Sequence, residues 1–177
     1  MRMKTLIMAA GAVMIATGAN AAMPFVGLWQ TIDDKTKNAK SIIRLYECGE
    51  ELCGRVVALY DSEGRAISET LSNPTRIAEE VKGKPKMVGL DVIWGMSWKD
   101  KDAEYSGGKI MDPKSGDVYS SVIWQEKDDA KTGTLRVRGQ LRFVPLGRTQ
   151  VWKTAPQGLP KDIVNSDAST WTPNIIK

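Results

Sequence analysis

The chain of 177 residues contains no histidine. That absence removes the commonest general base, and with it Ser-His-Asp and Cys-His nucleophile systems. Cysteine is almost absent: Cys48 and Cys53 are the only two. Two thiols without an imidazole make a poor zinc site, so no metal is expected. A block of one charge sign is missing as well. The 25 basic and 21 acidic residues are mixed along the sequence, for a net charge of +4. Nothing resembles the Lys/Arg runs or aromatic ladders that bind nucleic acid. Internal repeats and low-complexity tracts are also absent. Long hydrophobic runs are limited to Leu6–Ala16, too short to cross about 30 Å of hydrocarbon comfortably.

That run follows Met1-Arg2-Met3-Lys4 and precedes Ala19-Asn20-Ala21. A positive start, a short apolar stretch and an A-x-A site predict a signal peptide over residues 1–21, cleaved after Ala21. An uncleaved anchor is the alternative. No Cys follows closely, so a lipid anchor is not expected. Arg2 and Lys4 leave with the segment, which takes the net charge from +4 to +2. The predicted address is the periplasm or the exterior, with no stable membrane span after cleavage. In such a compartment the C-x4-C spacing of Cys48 and Cys53, around Gly49-Glu50-Glu51-Leu52, predicts a disulfide across a hairpin.

What remains is rich in strand patterns. In Thr134–Arg142, Leu135, Val137, Gly139 and Leu141 alternate with Arg136, Arg138, Gln140 and Arg142. A period of two gives this segment one dry face and one cationic face. Similar runs occupy 25–32, 40–48, 52–60, 87–98, 104–111, 118–125 and 148–154. Val56, Ala58 and Tyr60 are expected to share a face. Val88, Leu90, Val92, Trp94, Met96 and Trp98 make the most apolar face of all. Gly107-Gly108 marks a bulge or sharp bend. Asp112-Pro113-Lys114-Ser115-Gly116 is a turn, with Asp112 bonding back to the backbone and Gly116 at positive φ. It lacks the spacing of a phosphate-binding loop, and no cofactor is expected. Within 61–86, Asn73-Pro74 and Gly83 bracket one short helix, with a plain long loop as the alternative. Eight strands joined by short turns predict an all-β, antiparallel up-and-down barrel over residues 22–154, with 155–177 as a C-terminal tail pinned by Trp171. An open sheet or a sandwich is the competing arrangement.

Gly27-Leu28-Trp29 resembles the G-x-W of lipocalins and related calycin barrels. That likeness places Trp29 at the closed end, with a late arginine stacked across it, Arg148 first and Arg142 second. Gly107-Gly108-Lys109-Ile110-Met111-Asp112-Pro113, Gly116, Tyr119, Arg136-Val137-Arg138-Gly139 and Leu146-Gly147-Arg148-Thr149-Gln150-Val151-Trp152 together resemble the bacterial family called domain of unknown function 2147. The resemblance runs from Val26 to Lys153. It implies an exported, lipocalin-like barrel and brings no catalytic residue.

The candidate ligand-binding residues are Trp94, Met96, Trp98, Tyr119 and Arg138, with Tyr60 and Tyr105 as further polar groups. Apolar pockets with a few placed polar groups are the usual form of small-molecule sites. The same side chains can instead simply fill the interior. The arginines 136, 138 and 142 can meet an anionic head group if they face inward, or form a solvated outer face. Asp91 and Asp112 are the acids available to a carboxylate enzyme; Asp112 reads as a turn residue and Asp91 as solvent-facing. The function expected is carriage of a small apolar or amphipathic molecule, such as a fatty-acid-like ligand, without catalysis. The alternative is an interaction module contacting an envelope protein.

Overall fold

The structure, a computed structural model, describes residues 23–141 and 147–176. The signal-peptide reading of 1–21 and the placement of Arg142 lie outside the described residues. Nine strands follow one another: β1 Gly27–Ile32, β2 Ala39–Cys48, β3 Glu51–Tyr60, β4 Ile67–Thr70, β5 Asp91–Lys99, β6 Glu104–Met111, β7 Val118–Trp124, β8 Thr134–Gln140 and β9 Gly147–Thr154. Each of β5 to β8 pairs antiparallel with the next. β9 returns to β1, β1 pairs with β2, β2 with β3, and β3 with β5. The ring therefore closes as an eight-stranded barrel. β4 is a ninth strand, lying against Ala58–Tyr60 after β5 has left the edge of β3.

Bulges reset which residues face inward. Between β2 and β3 the register slips past Val57, with Ile43 opposite Val56 and Ile42 opposite Ala58. One extra residue exchanges the faces. Val56 and Leu59 thus join the barrel core, while Val57, Ala58 and Tyr60 pack in a second cluster with Ile42 and Ile163. The shared face expected for Val56, Ala58 and Tyr60 is corrected accordingly. In β5 the register jumps from Ile93 opposite Gly54 to Met96 opposite Leu52, around Gly95 at φ 69°. Ile93 and Met96 both end in the core, and Trp94 turns to the face of its partner Lys109.

The 61–86 connection holds β4 and turns, not a helix. The N–H groups of Thr75 and Arg76, which would open a helix, both donate to Glu69 Oε2 at 2.8 Å. The Arg76 guanidinium pairs with the same carboxylate and donates to Tyr60 O at 2.8 Å and Ser68 Oγ at 2.6 Å. Ile77 then bridges to Lys86 across a turn closed by Gly83. Burial alone would raise the Glu69 carboxyl; Arg76 and the two N–H groups outweigh it and hold it at about 2. At the β7–β8 turn, Arg136 and the Glu126 N–H hold Asp129 at about 2 as well. Depressed carboxylates stabilise the fold fully above their ordinary range and lose that contribution as pH falls through the folded value. Urea midpoints should therefore drop as pH is lowered from about 4.5 toward 2, and Glu69→Gln should flatten that drop. A midpoint independent of pH across this window would refute the anchoring role.

Cys48 and Cys53 form a disulfide across the β2–β3 hairpin, with Cα atoms 5.8 Å apart. The closed loop is short, so Cys48→Ser with Cys53→Ser is expected to cost no more than about 2 kcal/mol, read from the urea midpoint. A short helix α1, Asp129–Thr132, precedes β8, and the C-terminal segment packs on the outside of β2, β3 and β5 through α2, Lys161–Val164, and a 3-10 turn, Ala168–Thr170. Ile163 is fully buried against Ile42, Val57 and Ala58.

Asp91 lies on the outer face yet is fully buried, which corrects its expected exposure. It accepts bonds from Arg55 Nε at 3.1 Å, Arg55 Nη2 at 2.7 Å, Tyr46 Oη at 3.0 Å and the Asn174 N–H at 2.5 Å. The Arg55 guanidinium also lies 4.5 Å from the Trp171 ring and donates to Thr172 O. Burial works against its charge, and Asp91 more than restores it. Burial, with Asp91 beside it, pushes the Tyr46 phenol up. Sequence alternation placed Asp91 on the outside correctly; only the tail covers it.

Candidate functional site

The two barrel ends differ. At one end Trp29 donates its indole N–H to Phe25 O at 2.8 Å. Phe25, Trp98 and Tyr105 meet edge to face, with centroids 5.1 to 6.0 Å apart. This aromatic plug and the buried Leu45, Leu52, Ile93 and Met96 fill the lower barrel. At the other end the β1–β2, β3–β4 and β6–β7 connections, with Leu141 and Gly147, surround a cavity of about 750 Å³. That volume suits a small-molecule site.

The cavity walls follow from alternation. On β8 the dry face supplies Val137 and Gly139, with Leu141 beyond it, and Trp152 on β9 lies beside Leu135 in register. Ile43, Val56, Leu59, Val92 and Ile110 complete an apolar floor. The rim is charged: Asp33, Lys40, Asp61, Arg76, Asp112, Lys114 and Arg148 line it. The Asp33 carboxylate accepts from the N–H groups of Thr36 at 2.9 Å and Lys35 at 3.0 Å, which hold its pKa below the usual carboxylate range. Asp61 accepts three backbone N–H groups, from Glu63, Arg65 and Ala66.

Of the residues singled out by sequence, Tyr119, Tyr60, Asp112 and Arg148 line the cavity. Burial, then Asp117, pushes the Tyr119 phenol up. Asp112 Oδ1 accepts the Lys114 N–H at 2.9 Å, and Gly116 takes φ 74° where any Cβ would sit 2.7 Å from Glu80 O. Met96 and Trp98 lie beneath the cavity in the plugged half, with Tyr105. Trp94 and Arg138 do not line the cavity; Trp94 lies opposite Lys109, partly buried against the core. Arg138 lines a shallow exterior depression with Glu104, Val122 and Trp124. Arg136 pairs with Asp129 beside it. Gly27 opens β1 opposite Leu45. The stack expected of Arg148 over Trp29 does not occur. Trp29 pairs with Thr154 at the plugged end, and Arg148 sits six residues up β9 at the mouth, paired with Asp34. Tilt and strand length, which the linear motif does not encode, separate the two. Among the described residues no cluster of three or more potential metal ligands occurs, and no helix is long and apolar enough to cross a membrane.

The family model described as uncharacterized protein conserved in bacteria (DUF2147) matches residues 27–154, the whole barrel from β1 to β9. The chain belongs to this family. It is also similar to a solved structure, protein HP1028 from the human pathogen Helicobacter pylori, which belongs to the lipocalin family. That likeness has a TM-score of 0.55 at 15% identity and covers 79% of this chain and 86% of that one. At such identity it shows the fold alone, a lipocalin-like barrel. No curated protein matches the chain. In this DUF2147 member the cavity lies at the barrel mouth, and its lining includes Val92 of β5 but not Trp94, Met96 or Trp98.

Proposed function

We propose that this DUF2147 protein is exported to the periplasm and carries a small hydrophobic or amphipathic molecule, fatty-acid-like in shape, in the barrel mouth without transforming it. The cavity of about 750 Å³ with an apolar floor is the observation that carries the reading. Burying a ligand's apolar surface there is worth roughly 25 cal/mol per Å², before ordering costs are subtracted. The hydrophobic N-terminal segment and the Cys48–Cys53 crosslink support an oxidising compartment. The rival reading, a solid barrel that only contacts an envelope protein, needs an interior without a void. Native mass spectrometry of protein purified from its host tests the proposal. A lipid-sized mass that rides with the protein is the expected result. Apo protein that also fails to take up a neutral fluorescent probe, N-phenyl-1-naphthylamine, would overturn it.

A further inference from the structure

The polar groups of the cavity are not spread evenly. Below the charged rim the floor is apolar on the β3, β5, β6 and β8 sides, and Thr31, Ser41 and Gln150 make the wall polar where β2, β1 and β9 adjoin. Thr31 and Ser41, opposite each other in register, share a hydrogen bond of 2.7 Å inside the wall. Gln150 lines the same side and accepts the Trp152 indole N–H at 3.1 Å. Above this shoulder stand two cations, Lys40 at the start of β2 and Arg148 on β9. Arg148 lies opposite Gly139, so no side chain from β8 fills the space beside it.

The nearby negative charge is largely spoken for. Asp33 Oδ1 accepts from the Lys35 and Thr36 N–H groups and the Thr36 hydroxyl, and Lys40 adds its charge nearby. Lys40 forms no ion pair among the described residues, and Asp34 engages one nitrogen of Arg148. A guanidinium offers five donors in a fork matched to an anion. The Asp34–Arg148 contact also has a particular position. β1 and β9 pair at Trp29–Thr154 and Gln30–Lys153, and the Ala155 N–H donates to Leu28 O at 3.0 Å toward the plugged end. Above those pairs the seam between the strands is spanned by this contact between the β1–β2 turn and β9.

We propose that the β1–β2–β9 shoulder is an anion subsite: the ligand's head group is negatively charged, is taken by Arg148 with Lys40 alongside, and competes with Asp34 for the guanidinium. The apolar body of the ligand then lies on Ile43, Val56, Ile110 and Val137. A positively charged head group would meet two cations at the same place, and a neutral one would gain only the floor. This inference rests on the reading of the mouth as a binding site, and adds the sign and position of the polar end.

The test compares probes of one chain length, dodecanoate, dodecyl phosphate, dodecanol and dodecylammonium, by displacement of N-phenyl-1-naphthylamine from the purified protein. At least one anion should bind about tenfold or more tightly than dodecanol, a step of ordinary size for a charge-assisted contact. The better of the two anions names the group. In the double variant Arg148→Gln, Lys40→Gln that preference should vanish, leaving anion and alcohol indistinguishable. Equal affinity of all four probes for the unaltered protein would overturn the anion subsite and leave the carrier reading standing. Tightest binding of dodecylammonium would overturn it too, and a preference for anions that survives in the double variant would move the subsite elsewhere. Failure of every probe, with no displacement at all, would bring down both readings.

Discussion

Asp91→Ala should destabilise the fold by about 3–5 kcal/mol and release the C-terminal segment. Asp91 is fully buried, and the Arg55 guanidinium it balances is nearly so. Removing the carboxylate strands a cation beneath Trp171 and Tyr46, where little water reaches it. The loss is more than one interaction, because Tyr46 Oη and the Asn174 N–H lose their acceptor together. Urea denaturation would read the energetic cost, and limited proteolysis the freed tail. The pair itself need not be strong. Replacing both partners with apolar residues, Arg55→Met with Asp91→Leu, should recover most of the lost stability, since no orphan charge remains. A cost below about 1 kcal/mol for Asp91→Ala would mean that the pair is hydrated and that the tail does not seal it.

Gly139→Phe should lower probe affinity at least about tenfold while leaving the barrel folded. Gly139 points into the cavity from β8, where a Cβ would touch Ile110 and Tyr119 at 3.4 Å. That is close to ordinary contact, and beyond it lies the open volume that a ring would occupy. An aromatic residue suits a strand better than glycine does, so thermal stability should hold or rise slightly. Loss of binding with an unchanged melting temperature isolates the volume as the cause. Undiminished affinity would place the ligand outside the mouth.

The strand β8 was legible because nothing interrupts it. Its alternation sorts Leu135, Val137 and Gly139 onto one face and Arg136 and Arg138 onto the other, and the structure puts the first face inward. The strand β5 was not, although its pattern is equally clean on paper. A bulge around Gly95 breaks the period of two, so Trp94 leaves the face that Met96 keeps. Bulges are settled by what the neighbouring strands need, and the local pattern carries no record of them. Arg148 illustrates a second limit: which end of the barrel a residue reaches depends on strand length and tilt, both properties of the closed sheet.

Local chemistry alone therefore determined the all-β class, the eight barrel strands, the turns at Asp112–Gly116 and Cys48–Cys53, and the dry face of β8, because each depends on residues within a few positions of one another. Tertiary structure alone decided the plug of Phe25, Trp98 and Tyr105, the burial of Asp91 under the tail, and the meeting of Lys40 with Arg148 at the mouth. Those outcomes join segments from about eighty to more than a hundred residues apart, and only closure of the ring brings them within reach.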